Sequence, residues 1–122
     1  MQKVFLVEDS PLIRKRLKRM LASVPDATVV GQAAQVEEAI GGILAAEPDV
    51  VLLDLRLEHG SGFDVLRAVR RSAPGIDFYM LSNFSSEPYR RHAERLGARG
   101  FFDKSKDFER MRELIAQRAS ER

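Results

Sequence analysis

Glu8 and Asp9 end the apolar run that starts at Lys3, Asp54 ends the run DVVLL, Ser82 and Asn83 follow IDFYML, and Lys104 follows the segment Ala98–Asp103. Three carboxylates brought together repel one another and raise each other's pKa values unless a cation compensates. A hard divalent ion is the simplest remedy. Magnesium takes oxygen ligands, commonly one or two carboxylates with waters and phosphate oxygens, and needs no histidine. With a lysine ammonium and a serine hydroxyl beside them, these residues offer what phosphoryl transfer demands: a carboxylate nucleophile, a metal, and donors for the equatorial oxygens. Nothing in the set resembles an acyl-transfer triad.

These residues converge only if the intervening segments place them on one edge. Lys3–Glu8 (KVFLVE) reads as a buried strand. Ser10 is then a natural N-cap and Pro11 a natural first helical residue, and Leu12, Ile13, Leu17, Met20 and Leu21 are assigned to one face of a first helix. Thr28, Val29 and Val30 open a second strand. Val36 to Ala46 make a modest helix, weakened by Gly41 and Gly42 and ended by Pro48. Asp49–Leu53 is the most continuous apolar run, as expected of a central parallel strand covered on both faces. Gly60 and Gly62 mark the next loop. Phe63, Val65, Leu66 and Val69 predict a third helix closed by Pro74 and Gly75, and Ile76–Leu81 a fourth strand ending at Ser82. Ser85 or Ser86 is the expected cap of helix four. Ala98–Asp103 is the fifth strand, and Phe108, Met111, Leu114 and Ile115 form the apolar stripe of a closing helix.

Five such strand–helix units predict an α/β fold: a doubly wound parallel sheet with helices on both faces, since parallel strands require right-handed crossovers. Periodicity leaves the strand order open. The common open arrangements bind ligands outside the carboxyl ends of their strands, where the polar residues gather.

Singly, each of these residues has an ordinary explanation. Asp9 would interact favourably with the dipole of the first helix, Asp54 could cap a loop, Ser82 and Asn83 could initiate the turn into helix four, and Lys104 could be a solvated lysine. None of these accounts for their shared edge. His59 and His92 lack the spacing of a metal site and read as surface residues. Arg14, Lys15, Arg16, Lys18 and Arg19 cover the polar face of the first helix, either as a solvated face or as a protein docking surface.

Composition narrows the class. At 122 residues the chain fits one compact domain, with 44% apolar and 31% charged residues, the balance of an ordinary globular chain. It has no cysteine, which removes disulfides, thiolate nucleophiles and cysteine-ligated zinc. The net charge of +2 is too slight to argue for nucleic acid, so no direct nucleic-acid binding is expected. Apolar stretches fall far short of the ~20 residues of a spanning helix, and no signal-peptide pattern opens the chain. A cytoplasmic chain with no membrane association is the expectation.

The full set, in its order and spacing, resembles the receiver domains of two-component response regulators, including the single-domain chemotaxis-type regulators, and the likeness covers essentially the whole chain. The resemblance implies a flavodoxin-like fold with strand order 2-1-3-4-5 and a single receiver domain over residues 1–122. It implies that Glu8 and Asp9 are the metal-binding pair, that Asp54 is the phosphorylated aspartate and a metal ligand, and that the main-chain carbonyl of Arg56 completes the metal shell. Ser82 would be the switch hydroxyl, Lys104 the phosphate-binding lysine and Phe101 the aromatic that swings inward on activation. Gly62 sits where the family turns into helix three. The implied cofactor is Mg2+, with Mn2+ as an alternative, and the implied chemistry is self-phosphorylation with slow autodephosphorylation in a signalling module rather than an enzyme.

The implied partners are a histidine kinase or histidine phosphotransfer protein, and a downstream protein target or an output domain. A phosphorylation-linked homodimer is a further option. The switched surface would comprise helix four, strand five and helix five, with Tyr89, Arg90, Phe101 and Met111 as candidates. No output motif follows within residue 122, so a stand-alone receiver and a receiver taken from a longer regulator are both open.

The sequence departs from the family pattern at Ser105, where many receivers carry proline after the lysine, and at Glu58, which replaces a frequent proline. Arg56 and Phe84 occupy positions that in the family tune the phosphorylated lifetime, and Phe101 lacks the hydroxyl of the family's usual tyrosine alternative. Three other readings compete. A magnesium-dependent phosphatase would place its nucleophile on the first strand with a second aspartate two positions on, where Ser10 and Pro11 stand instead. A flavin module would want hydroxyls and glycines after strand one, not two carboxylates. A degenerate receiver that binds partners unphosphorylated is disfavoured by the intact Asp54 and Lys104.

Overall fold

A computed structural model describes residues 1–83 and 87–121. Strands and helices alternate as β1 (Gln2–Val7), α1 (Pro11–Ala22), β2 (Ala27–Ala33), α2 (Val36–Ala46), β3 (Val50–Asp54), α3 (Gly62–Ser72), β4 (Asp77–Ser82), α4 (Glu87–Arg95), β5 (Gly100–Asp103) and α5 (Phe108–Ser120). The strands pair in parallel in the order β2-β1-β3-β4-β5, which is the predicted α/β doubly wound sheet. A feature not foreseen is a two-residue antiparallel hairpin, Arg56–Leu57 with Gly60–Ser61, directly after β3.

Every residue of β3 is buried, as its unbroken apolar run requires of a strand covered on both faces. Alternate side chains of the strands feed two cores. Phe5, Val7, Val51, Leu53, Phe78 and Met80 pack with Ala39 and Ile43 of α2 and Val65, Leu66 and Val69 of α3. Val4, Leu6, Val50, Leu52, Tyr79 and Leu81 pack with Leu17 and Leu21 of α1 and Met111 and Ile115 of α5.

The helix ends follow local chemistry. Ser10 Oγ accepts the Ile13 N–H at 3.3 Å and Pro11 opens α1. Glu47 takes the left-handed conformation (φ 50°) that closes α2 before Pro48. Ser61 and Asp64 cap α3 reciprocally, with Phe63 N–H donating to Ser61 Oγ at 3.0 Å and Ser61 N–H to Asp64 Oδ2 at 3.2 Å. The expected Ser85 or Ser86 cap of α4, like Phe84, lies outside the described residues.

Three sequence assignments need correction. Leu12 is 68% exposed rather than on the buried face of α1, because it lies five residues before Leu17, a rotation of about 140° away from it. His92 is half-buried rather than a surface residue, its ring edge-on to Phe63 with centroids 4.5 Å apart. Met111, offered as part of a switched surface, is wholly inside the core. Among the described residues no helix is long and apolar enough to cross a membrane.

Candidate functional site

The carboxyl ends of β1, β3, β4 and β5 meet at one place. Asp54 is the last residue of β3, flanked in register by Leu81 of β4, and Ser82 ends β4 opposite Asp103 of β5. Asp9, Asp54, Arg56, Ser82, Asn83 and Lys104 line a cavity of about 190 Å3. Glu8, Asp54, Ser82 and Lys104 are all buried, unusual company for two carboxylates and an ammonium.

Lys104 bridges the two buried acids. Its Nζ donates to Asp54 Oδ2 at 3.1 Å and to Glu8 Oε2 at 3.1 Å, and lies 2.9 Å from Glu8 Oε1. That last contact is an ion pair without hydrogen-bond geometry, so among the described residues Glu8 Oε1 is buried with no hydrogen-bond donor. Asp9 joins them, and one carboxylate oxygen from each of Glu8, Asp9 and Asp54 lies within 4.8 Å of the others.

The charges do not balance. Burial, reinforced by the charge of Glu8, pushes the Asp54 carboxyl up to about 7 against the opposing pull of Lys104. Burial by itself would lower the Lys104 ammonium, but its hydrogen bond to Glu8 and the charges of Asp54 and Glu8 outweigh that and raise it. Among the buried side chains one ammonium, Lys104, faces two carboxylates, Glu8 and Asp54, an excess of negative charge that a cation would reduce. Oxygen-only donors, an unbonded Glu8 oxygen and an adjoining cavity together fit a hard divalent ion.

The backbone fixes these groups. Ser10 N–H donates to Glu8 Oε2 at 3.0 Å, and Arg56 N–H reaches Asp54 Oδ1 at 3.4 Å. Gly62 starts α3 against the end of β3, where a Cβ would stand 2.3 Å from the Asp54 carbonyl oxygen. Only glycine admits that approach. The hairpin between them carries Glu58 and His59 at its exposed turn.

The chain matches the family described as response regulator receiver domain over residues 4–116. It belongs to the response-regulator receiver family. The receiver is 37% identical over 101 residues to the DNA-binding transcriptional activator DevR/DosR of Mycobacterium tuberculosis, covering 83% of this chain and 46% of that protein. With the response regulator GacA of Pseudomonas aeruginosa it shares 32% over 117 residues, covering 96% and 55%. It thus spans about half the length of these curated relatives. Among solved structures, the signal receiver domain of the response regulator NarL from M. tuberculosis superposes with a TM-score of 0.88 at 29% identity, covering 99% of this chain and 98% of that one. The response regulator domain of Thermotoga maritima CheB gives 0.86 at 27%, covering 99% and 95%.

The receiver fold accordingly gathers Glu8, Asp9, Asp54, Arg56, Ser82 and Lys104 at one edge, whereas Phe101 stands apart. Phe101 is already buried, with the Arg90 guanidinium 5.2 Å above its ring centroid. The sequence reading missed two supporting groups. Arg14, assigned to the polar face of α1, donates from Nη1 to the Glu8 carbonyl at 2.7 Å, and nothing in the sequence distinguishes it from Lys15 or Arg16. Asp103 organises the turn after β5, for which its spacing to Ser105 was an available signal.

Proposed function

We propose that this chain, acting as a single domain over residues 1–122, accepts a phosphoryl group on Asp54 and relays that event to a partner protein. The observation that carries the reading is the buried Lys104 ammonium shared by Asp54 and Glu8 beside an acid-lined cavity. Asp54 is the only one of the three carboxylates that ends a central strand at that cavity, and its neighbours supply the rest of the chemistry.

Glu8, Asp9 and Asp54, with the main-chain carbonyl of Arg56, would hold Mg2+ or Mn2+. When bound, that ion would offset negative charge on the transferred group. An Asp54 carboxylate oxygen attacks the phosphorus of a phosphohistidine or a small acyl phosphate in line. The new O–P bond replaces the P–N or P–O bond to the donor, whose histidine nitrogen or carboxylate leaves with the electron pair. Lys104 turns from the carboxylates to a phosphoryl oxygen, and Ser82 donates its hydroxyl to another. Water later hydrolyses the acyl phosphate slowly, so the module signals rather than turning over substrate.

The donor would be a histidine kinase or histidine phosphotransfer protein in the cytoplasm. Readout through Ser82 and Phe101 would alter the face formed by α4, β5 and α5, where Tyr89 and Arg90 are accessible, toward a downstream protein, an output domain or a second copy of the chain. Intact-mass measurement after incubation with acetyl phosphate tests the core of this reading. One phosphate adduct is expected that requires both magnesium and Asp54; an equal adduct on Asp54→Asn would overturn the site assignment.

A further inference from the structure

In the proposed reaction Lys104 reaches two different anions in turn, the pair of carboxylates it now bridges and then a phosphoryl group, so its main chain has to be held by something other than its charged end. Its N–H donates to the Ser82 carbonyl at 2.9 Å, which fixes the residue to the end of β4. The next turn is closed by side chains. Asp103 Oδ1 accepts from Ser105 N–H at 2.8 Å, from the Ser105 hydroxyl at 2.7 Å and from Lys106 N–H at 3.1 Å. Asp107 Oδ2 accepts the Asp103 N–H at 2.7 Å, and Asp107 N–H donates to the Asp103 carbonyl at 3.1 Å. The Asp107 carbonyl in turn accepts the Met111 N–H at 2.9 Å, which starts α5. The residues flanking Lys104 are therefore tied to each other and to a helix, and Ser105, placed where proline is common, contributes two of the bonds through its main chain and its hydroxyl.

We propose that Asp103 and Ser105 are positioning residues that hold Lys104 in place for the reaction at Asp54. The inference rests on the proposed function for its phosphoryl half, but its metal half stands on the geometry alone. The Lys104 ammonium and a divalent ion would draw on the charge of the same Glu8 and Asp54 carboxylates, whereas the ammonium and the phosphoryl group attract each other. Loosening Lys104 therefore has opposite effects on the two ligands. Magnesium gains access to the carboxylates, and a phosphoryl mimic loses a donor.

The test is calorimetric titration of the full chain with magnesium alone, and then with beryllofluoride at saturating magnesium. Asp103→Ala should bind magnesium about two- to threefold more tightly and beryllofluoride about tenfold more weakly, the loss of one hydrogen bond to a charged group. Ser105→Ala should shift both in the same directions by smaller factors, and Asp103→Asn, which keeps an acceptor, should return close to wild type. Ser105 is exposed, so its variant keeps the test available if Asp103→Ala fails to fold. A turn that merely stabilises the fold would leave both affinities unchanged or lower both together, and either result overturns the proposal. If wild type binds no beryllofluoride, the phosphoryl reading fails while the magnesium titrations still decide whether Asp103 and Ser105 hold Lys104.

Discussion

At the carboxyl end of the sheet two buried carboxylates share one ammonium, whereas at the amino end a single carboxylate takes two guanidinium groups. Asp77 pairs with Arg118 and, at 3.5 Å, with Arg99, while Arg118 Nε also donates to Gln2 Oε1 at 3.2 Å. Asp49 Oδ2 nearby accepts the Lys3 N–H at 2.8 Å. Both ends are polar clusters on one sheet, built from comparable residues. The difference is charge balance: the amino end is neutralised by what is present and ties α5 to the strands, and the buried cluster at the carboxyl end holds one more carboxylate than ammonium. A buried excess of one sign weakens a fold, which makes the carboxyl end a candidate ligand site.

The sharpest way to break the contrast is to remove Lys104. Lys104→Ala leaves Glu8 and Asp54 facing each other without their shared cation, and removing one partner of a buried pair costs about 3 kcal/mol. The loss should be largest near pH 8 and smaller at pH 5, where Asp54 takes up a proton. Magnesium should restore more stability to this variant than to wild type. Urea unfolding at both pH values, with and without magnesium, reads all three effects; a loss independent of pH and metal would mean that Lys104 serves packing alone.

The second expectation has the opposite sign. The Asp54 carboxyl, ordinarily near 3.8, is raised to about 7 in the fold, so the folded state binds its proton more tightly than the unfolded chain does. Its contribution to stability is complete below pH 3.8 and is lost as pH rises through about 7. Without metal, Asp54→Asn should therefore be more stable than wild type by about 2 kcal/mol at pH 7.5, with the advantage shrinking toward pH 4. Thermal unfolding across that range measures it. Equal stability at all pH values would show that Lys104 already neutralises the cluster.

What the sequence disclosed follows the same division between backbone pattern and side-chain partnership. DVVLLD was legible because a strand buried on both faces has no other composition, and Ser10–Pro11 because a cap and a first helical proline act locally. The strand ends delivered Asp54, Ser82 and Lys104 to one edge by topology alone. The hairpin at Arg56–Leu57 was not legible, since two-residue strands have no period to detect. Nor was the reach of Arg14 to the Glu8 carbonyl, or of Lys104 to Glu8 across 96 positions of chain, because such contacts depend on how helices rotate against the sheet. The pairing of Arg118 with Asp77 belongs to the same class: either residue alone reads as surface charge.

The smallest expected effect lies at the amino end. Asp77→Ala strands Arg118, whose side chain is 20% exposed, and releases its hold on Gln2, yet water can still reach the guanidinium groups. The cost should be about 1 kcal/mol, in the range of partly exposed hydrogen-bonded pairs. Magnesium affinity should stay at the wild-type value. Chemical denaturation and metal titration of Asp77→Ala beside Asp54→Asn make the comparison direct. A change in magnesium binding on loss of Asp77 would mean that the two ends communicate through β4, the strand that runs from Asp77 to Ser82, and that the amino end is not merely an anchor.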